Sequence, residues 1–81
     1  MFHVLILTSR PKGGDGLLFE GQSVSVSLPG SEGEFEILDF HKPIISLLKK
    51  GLIIVDNKNE FLINGGVAKM DRQSLVAVVD V

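Results

Sequence analysis

The sequence predicts an all-β fold, a β-sandwich or small barrel, on three observations. Short runs of β-forming residues follow one another at close, even spacing along the chain. Several of them alternate polar and apolar residues with period two, the pattern of a strand with one buried face. Turn signals rich in Gly, Pro and Asn separate them, and only residues 42–50 also fit a turn of helix.

The elements follow in order. FHVLILT (2–8) is dense in β-formers and bounded by Ser9, Pro11 and a glycine cluster, and it reads as a strand. RPKGGDG (10–16) reads as a turn or loop, because its glycines permit positive φ. In SVSVSLP (23–29), Val24, Val26 and Leu28 fall on one face, with Ser23, Ser25 and Ser27 on the outward beat. EFEIL (34–38) repeats the pattern, with Phe35 and Ile37 inward and the glutamates outward. LIIVD (52–56) and EFLIN (60–64) flank Asn57-Lys58-Asn59, a hairpin signal. GGVAKMD (65–71) and SLVAVVD (74–80) flank Arg72-Gln73, a second tight turn, and Gly65-Gly66 reads as a bulge or corner. KPIISLLKK (42–50) is cut by Pro43 and Gly51, so a long helix is excluded there.

Composition narrows the function. The 81 residues suffice for one domain, 1–81, small enough to be a candidate for stabilisation by a partner. With no cysteine, disulfides and thiolate metal sites are excluded. A net charge of −2 with mixed signs gives no basic face for nucleic acid. The longest apolar run, LIIV (52–55), is far short of a membrane span, and the N-terminal residues lack a signal peptide's basic region. These features read as a soluble protein that stays where it is made.

The segment GSEGEFEILDFHKP (30–43) concentrates the chemistry, with Glu32, Glu34, Glu36, Asp39 and His41. A catalytic carboxylate pair needs two acids in one cleft with their pKa values pushed apart. Here no Arg, Tyr or Trp stands nearby to grip a substrate, and the glutamates read as a solvated strand edge. His41 with Asp39 or Glu36 matches no familiar ligand spacing, and His3 reads as packed or half-exposed on the first strand. The serines 23, 25 and 27 sit in no GxSxG elbow, and KGGDG lacks the closing Lys-Ser/Thr of a P-loop. Lys69 in VAKMD is the nearest candidate for a lipoyl or biotinyl carrier lysine, but the pattern places it mid-strand, where a carrier lysine needs a hairpin tip.

FEGQSVSVSLPGSEGEFEIL, then HKPIISLLKKG, resembles the N-terminal domain of the epsilon subunit of F-type ATP synthase. The register is carried by Phe19, Gly21, Pro29, Gly30, Gly33, Ile37, Leu38, His41, Pro43, Lys49 and Gly51, and FLINGGVAKMDRQSLVAVVD continues it to the last strand. The stretch from Thr8 to Phe19 is longer than the family's. Glu36 stands at one of the family's glycines, and Asp39-Phe40 replaces its Pro-Gly. The resemblance implies a flattened β-sandwich of about ten short strands. It makes residues 44–48 a strand. It implies a non-catalytic rotor subunit with no cofactor and no bound nucleotide, clamped to the gamma subunit and seated on the c-ring. Contact with the membrane would come only through the complex, at the cytoplasmic face of the bacterial inner membrane. The implied partner-binding residues are Thr8, Glu32, Glu34, Asp39, Phe40 and His41. Glu32 and Glu34 would meet basic or amide groups of the ring loops, with His41 near gamma and Phe40 a possible aromatic anchor. The family usually continues into a C-terminal pair of helices. This sequence ends one residue after Asp80, so the expectation is a subunit without the inhibitory or ATP-sensing function of those helices.

Overall fold

The computed structural model describes residues 1–10, 14, 16–38 and 42–81, and its regular elements are all strands. They are β1 (Phe2–Thr8), β2 (Leu17–Ser23), β3 (Ser25–Gly30), β4 (Gly33–Leu38), β5 (Ile44–Leu48), β6 (Gly51–Val55), β7 (Asn59–Ile63), β8 (Gly65–Asp71) and β9 (Ser74–Asp80). Hydrogen bonding links them in the order β2-β1-β9-β8-β5-β3-β6-β7, with β4 paired to the side of β3. This single sheet curls over on itself to make a sandwich. β2-β1-β9-β8-β5 forms one layer and β4-β3-β6-β7 the other. β5 joins β3 only through the pair Gly30–Leu48, which is the fold line. On the open side, Phe19 of β2 and Phe61 of β7 meet edge to face with ring centroids 6.0 Å apart, a favoured aromatic geometry.

The core lies between the layers. Phe2, Val4, Ile6, Ala68, Met70, Leu75, Ala77 and Val79 project from one layer, and Val26, Leu28, Ile37, Ile53, Val55 and Ile63 from the other. All are buried, as the inward beat of alternating strands must be. β1 and β9 run parallel and side by side, so the first and last strands hold each other.

The hairpins follow their turn chemistry. The β6–β7 turn has positive φ at Asp56 (54°) and Asn57 (56°) and closes with Lys58 N–H donating to the Val55 carbonyl at 3.0 Å. Two successive left-handed residues match the strand twist of a hairpin, and Asp and Asn tolerate them best. The β8–β9 turn is the two residues Arg72-Gln73, with Arg72 at φ 58°. Gly66 is required by close approach, because a Cβ there would lie 2.5 Å from the Val78 carbonyl oxygen.

The sequence reading left residues 17–22 without an element, and its reading of 23–29 needs correction. β2 is a full strand over Leu17–Ser23, paired along β1 with a bulge beside Leu7, although Glu20, Gly21 and Gln22 break any apolar alternation. The stretch 23–29 is not one strand. The chain breaks at Val24, which is 52% exposed, while Val26 and Leu28 are buried. Ser23, expected on the outward beat, is buried as the last residue of β2. The cause is a change of layer: β2 lies in one and β3 in the other, so the pleat cannot run through.

Candidate partner-docking surface

The β3–β4 hairpin carries the acidic candidates. Gly30 pairs with Gly33, leaving Ser31-Glu32 as a two-residue turn. Gly33 has φ 132°, and a Cβ on Gly30 would lie 2.7 Å from its carbonyl oxygen. Both glycines are therefore conditions of the turn. Glu32 sits at the exposed tip, and Glu34 and Glu36 are exposed outward residues of β4, so the three glutamates do not form one strand face.

The tip is tied to its neighbours. Ser31 N–H donates to the Leu47 carbonyl at 2.9 Å, and Lys49 N–H donates to the Pro29 carbonyl at 2.9 Å. Lys49 and Lys50 are thereby brought beside Glu34, around a shallow hollow of about 330 Å³ that also touches Pro29, Gly51, Leu52 and Ile54. Sequence reasoning passed over this lysine pair. Its signal was the charge run immediately before Gly51.

The ladder brings Thr8 to the same end of the molecule. β1 ends at Thr8, which pairs with Val79 near the end of parallel β9. β8 begins there at Gly65, and β5 ends there at Leu48 against Gly66. Gly30, next to the acidic tip, pairs with Leu48. The Thr8 hydroxyl accepts from Arg10 N–H at 3.2 Å, and the Arg10 guanidinium lies 3.7 Å from Asp80. Thr8, Arg10, Asp80 and Val81 border a second hollow, of about 530 Å³. One end of the sandwich therefore presents Thr8, Arg10, Glu32, Glu34, Lys49, Lys50 and Asp80, a mixed-charge surface.

Asp39, Phe40 and His41 lie outside the described residues. Among the described residues no group of three or more His, Cys, Asp and Glu could hold a metal ion. His3 is half-exposed on β1, with Nε2 3.1 Å from the Glu20 carboxylate. Lys69 is an exposed residue in the middle of β8, flanked by Ile45 and Val76, and not at a hairpin tip.

Asp56 is structural. Its Oδ1 accepts from Val24 N–H at 2.8 Å and from Ser25 N–H at 3.1 Å, and its own N–H donates to the Ser25 carbonyl at 2.9 Å. These contacts fasten the β6–β7 turn to the point where the chain changes layer. The Val24 amide, above all, holds the carboxyl below its ordinary pKa, against the opposing effect of burial; Ser25 N–H and Lys58 act in the same direction. The buried Ser23 hydroxyl has no well-formed hydrogen-bond partner among the described residues, yet its dipole also favours the Asp56 charge.

Fold and surface define a small β-sandwich domain with a mixed-charge surface at one end. The chain belongs to the family of the ATP synthase, Delta/Epsilon chain, beta-sandwich domain, which matches residues 3–81. The ATP synthase epsilon chain of Campylobacter curvus is 45% identical over 82 aligned residues, covering 96% of this chain and 60% of that protein. The epsilon chain of Sulfurimonas denitrificans is 36% identical over 70 residues, covering 82% of this chain and 54% of that one. This chain thus spans 54–60% of the length of those two relatives. A chain in the mitochondrial ATP synthase central stalk and c-ring of Tetrahymena thermophila superposes with a TM-score of 0.74 over 98% of this chain and 63% of its own, at 16% identity. A chain of the Euglena gracilis mitochondrial ATP synthase assembly of OSCP, F1 and c-ring gives 0.73 over 98% of this chain and 51% of its own, also at 16%. At that identity the likeness is one of fold.

Proposed function

We propose that this domain is a central-stalk subunit of a proton-translocating F-type ATP synthase, joining the gamma subunit to the c-ring and carrying no active site of its own. The family match over residues 3–81, shared with epsilon chains, is the observation that carries this reading. The likeness in fold to chains from central-stalk and c-ring assemblies agrees with it.

On this reading the mixed-charge end docks on the ring. Glu32 and Glu34 meet basic or amide groups of the ring loops, and Thr8 lies at the edge of the same contact. Asp39, Phe40 and His41 are assigned to the contact with gamma. The domain reaches the membrane only through the complex, on the cytoplasmic face of the bacterial inner membrane. Charges at an interface rim set orientation and association rate more than affinity. A rotor joint uses that property, because register must hold under torque.

The test is Glu34→Lys, at an exposed position whose side chain contributes nothing to the core. The expected outcome is unchanged thermal stability with reduced proton-driven ATP synthesis in membranes carrying the variant. Synthesis at the wild-type rate would contradict the assignment of this end to the ring.

A further inference from the structure

The outer face of the layer β2-β1-β9-β8-β5 is largely apolar, exposing Leu17, Ile45, Leu47, Val67 and Val78. The hollow beside the β3–β4 turn is charged instead, with Glu34, Lys49 and Lys50 on its border and all three exposed. Glu34 pairs with Pro29, and the Pro29 carbonyl accepts from Lys49 N–H. The three residues therefore lie in one row across adjacent segments, with Glu34 and Lys49 two strand spacings, about 10 Å, apart. Among the described residues, ion pairs join His3 to Glu20 and Arg10 to Asp80, and none engages Glu32, Glu34, Lys49 or Lys50. The charges of this hollow are thus open to a partner, whereas Arg10 and Asp80 at the same end already answer each other.

We infer that Lys49 and Lys50 form the cationic half of the ring contact, and that the ring loop seated on this hollow carries a carboxylate beside the basic or amide group that meets Glu34. The inference rests on the rotor reading above. A basic group brought to Glu34 comes within about 10 Å of the lysines, close to the Debye length of about 8–10 Å at moderate salt, so their repulsion is only partly screened. Two repelling cations then oppose one attracting anion, and a loop with positive charge alone gains little from the contact. A carboxylate on the loop, set over Lys49 and Lys50, turns that opposition into a second attraction.

The same balance selects the occupant. A lipid headgroup carrying phosphate alone would satisfy the lysines and leave Glu34 facing an anion, so a polypeptide that offers both signs is the better match. The hollow then presents a negative and a positive pole about 10 Å apart, and a loop with the opposite poles fits it in one orientation. Charges arranged in this way fix register more than they add affinity, which is what a joint under torque uses.

Carbodiimide cross-linking of the assembled complex tests it, with the tagged full chain captured from membranes of its own source. The reagent activates a carboxylate, a lysine amine in contact with it displaces the reagent as a urea, and an amide bond is left between the two residues. The expected products are peptides joining Lys49 or Lys50 to a carboxylate of the ring subunit. Lys49→Arg with Lys50→Arg keeps the charge; it is expected to keep gamma and ring in the captured complex and to lose these linked peptides. Lys49→Glu with Lys50→Glu is expected to lower proton-driven ATP synthesis about tenfold, with gamma recovery and the circular dichroism spectrum unchanged. In a complex that holds gamma and ring, lysine links confined to Glu34 of the same chain or to gamma, or no lysine links at all, would overturn the inference and leave the rotor reading standing. Synthesis at the wild-type rate in the glutamate double variant would do the same, and loss of its binding to phosphatidylglycerol vesicles would then assign the lysines to lipid phosphate. Capture of neither gamma nor ring would overturn the rotor reading and this inference with it.

Discussion

Asp56 holds the point where the chain crosses from one layer to the other, and its effect is measurable. Its carboxylate accepts two main-chain N–H groups, from Val24 and Ser25. Hydrogen bonds to a charged acceptor stabilise more than neutral ones, but this group is only half-buried and partly screened. Asp56→Ala is therefore expected to cost about 1–2 kcal/mol in urea unfolding. The folded-state pKa is depressed, so the stability from ionised Asp56 is fully present above the unfolded value near 3.9 and is lost as pH falls through the lower folded value. The gap between wild type and Asp56→Ala should be flat from about pH 5 to 8 and narrow below about pH 4. A gap that grows on acidification would contradict this account. At Gly66 the constraint is steric, because an added Cβ would meet the Val78 carbonyl oxygen at 2.5 Å and the Val79 Cα at 2.9 Å. Neither atom is the end of a flexible side chain, so Gly66→Ala is expected to cost about 3 kcal/mol in the same measurement.

Among the elements, the hairpins were the most legible from sequence and the crossing between layers the least. GGVAKMD and SLVAVVD, with Arg72-Gln73 between them, occupy β8, the turn and β9 residue for residue. There the pairing is local, and alternation with turn chemistry specifies it. β2 was not legible, because its position is fixed by pairing along β1 and not by its own polar-apolar pattern. Val24 was read on the buried face for the same kind of reason. Alternation assumes a continuous pleat, and the chain leaves one layer at that residue. The glutamates were read together as a solvated strand edge, yet the tight turn made possible by Gly30 and Gly33 separates Glu32 from Glu34 and Glu36. Of the cluster at one end, Thr8 and Glu34 were named as site residues only through the family resemblance and Lys49 and Asp80 not at all, because the four are distant in sequence and only the ladder of long-range pairs gathers them. The hairpin turns also offer an improvement. Arg72 adopts φ 58°, which costs a side chain that cannot bond back to its own backbone. Arg72→Asn is expected to stabilise the domain by about 0.5 kcal/mol, seen as a higher melting temperature. A lower melting temperature would show that Arg72 makes a contribution beyond the turn.

At the scale of the molecule, a sheet folded over on itself places two different surfaces on a stiff frame. The inward beats of both layers fill one core, and Phe19 with Phe61 closes the open side. The charged end and the apolar outer face are thereby fixed relative to each other. The proposed function reads that frame as a coupling element in a rotary synthase. Its central claim is tested most directly by capture of partners with the tagged chain from membranes of its own source, at low and moderate salt, with the bound proteins identified by mass. The expected result is recovery of the gamma subunit with alpha and beta, less in moderate salt, and less again with Glu34→Lys when c-ring recovery is followed. A normally folded chain that recovers none of these subunits would contradict the stalk assignment.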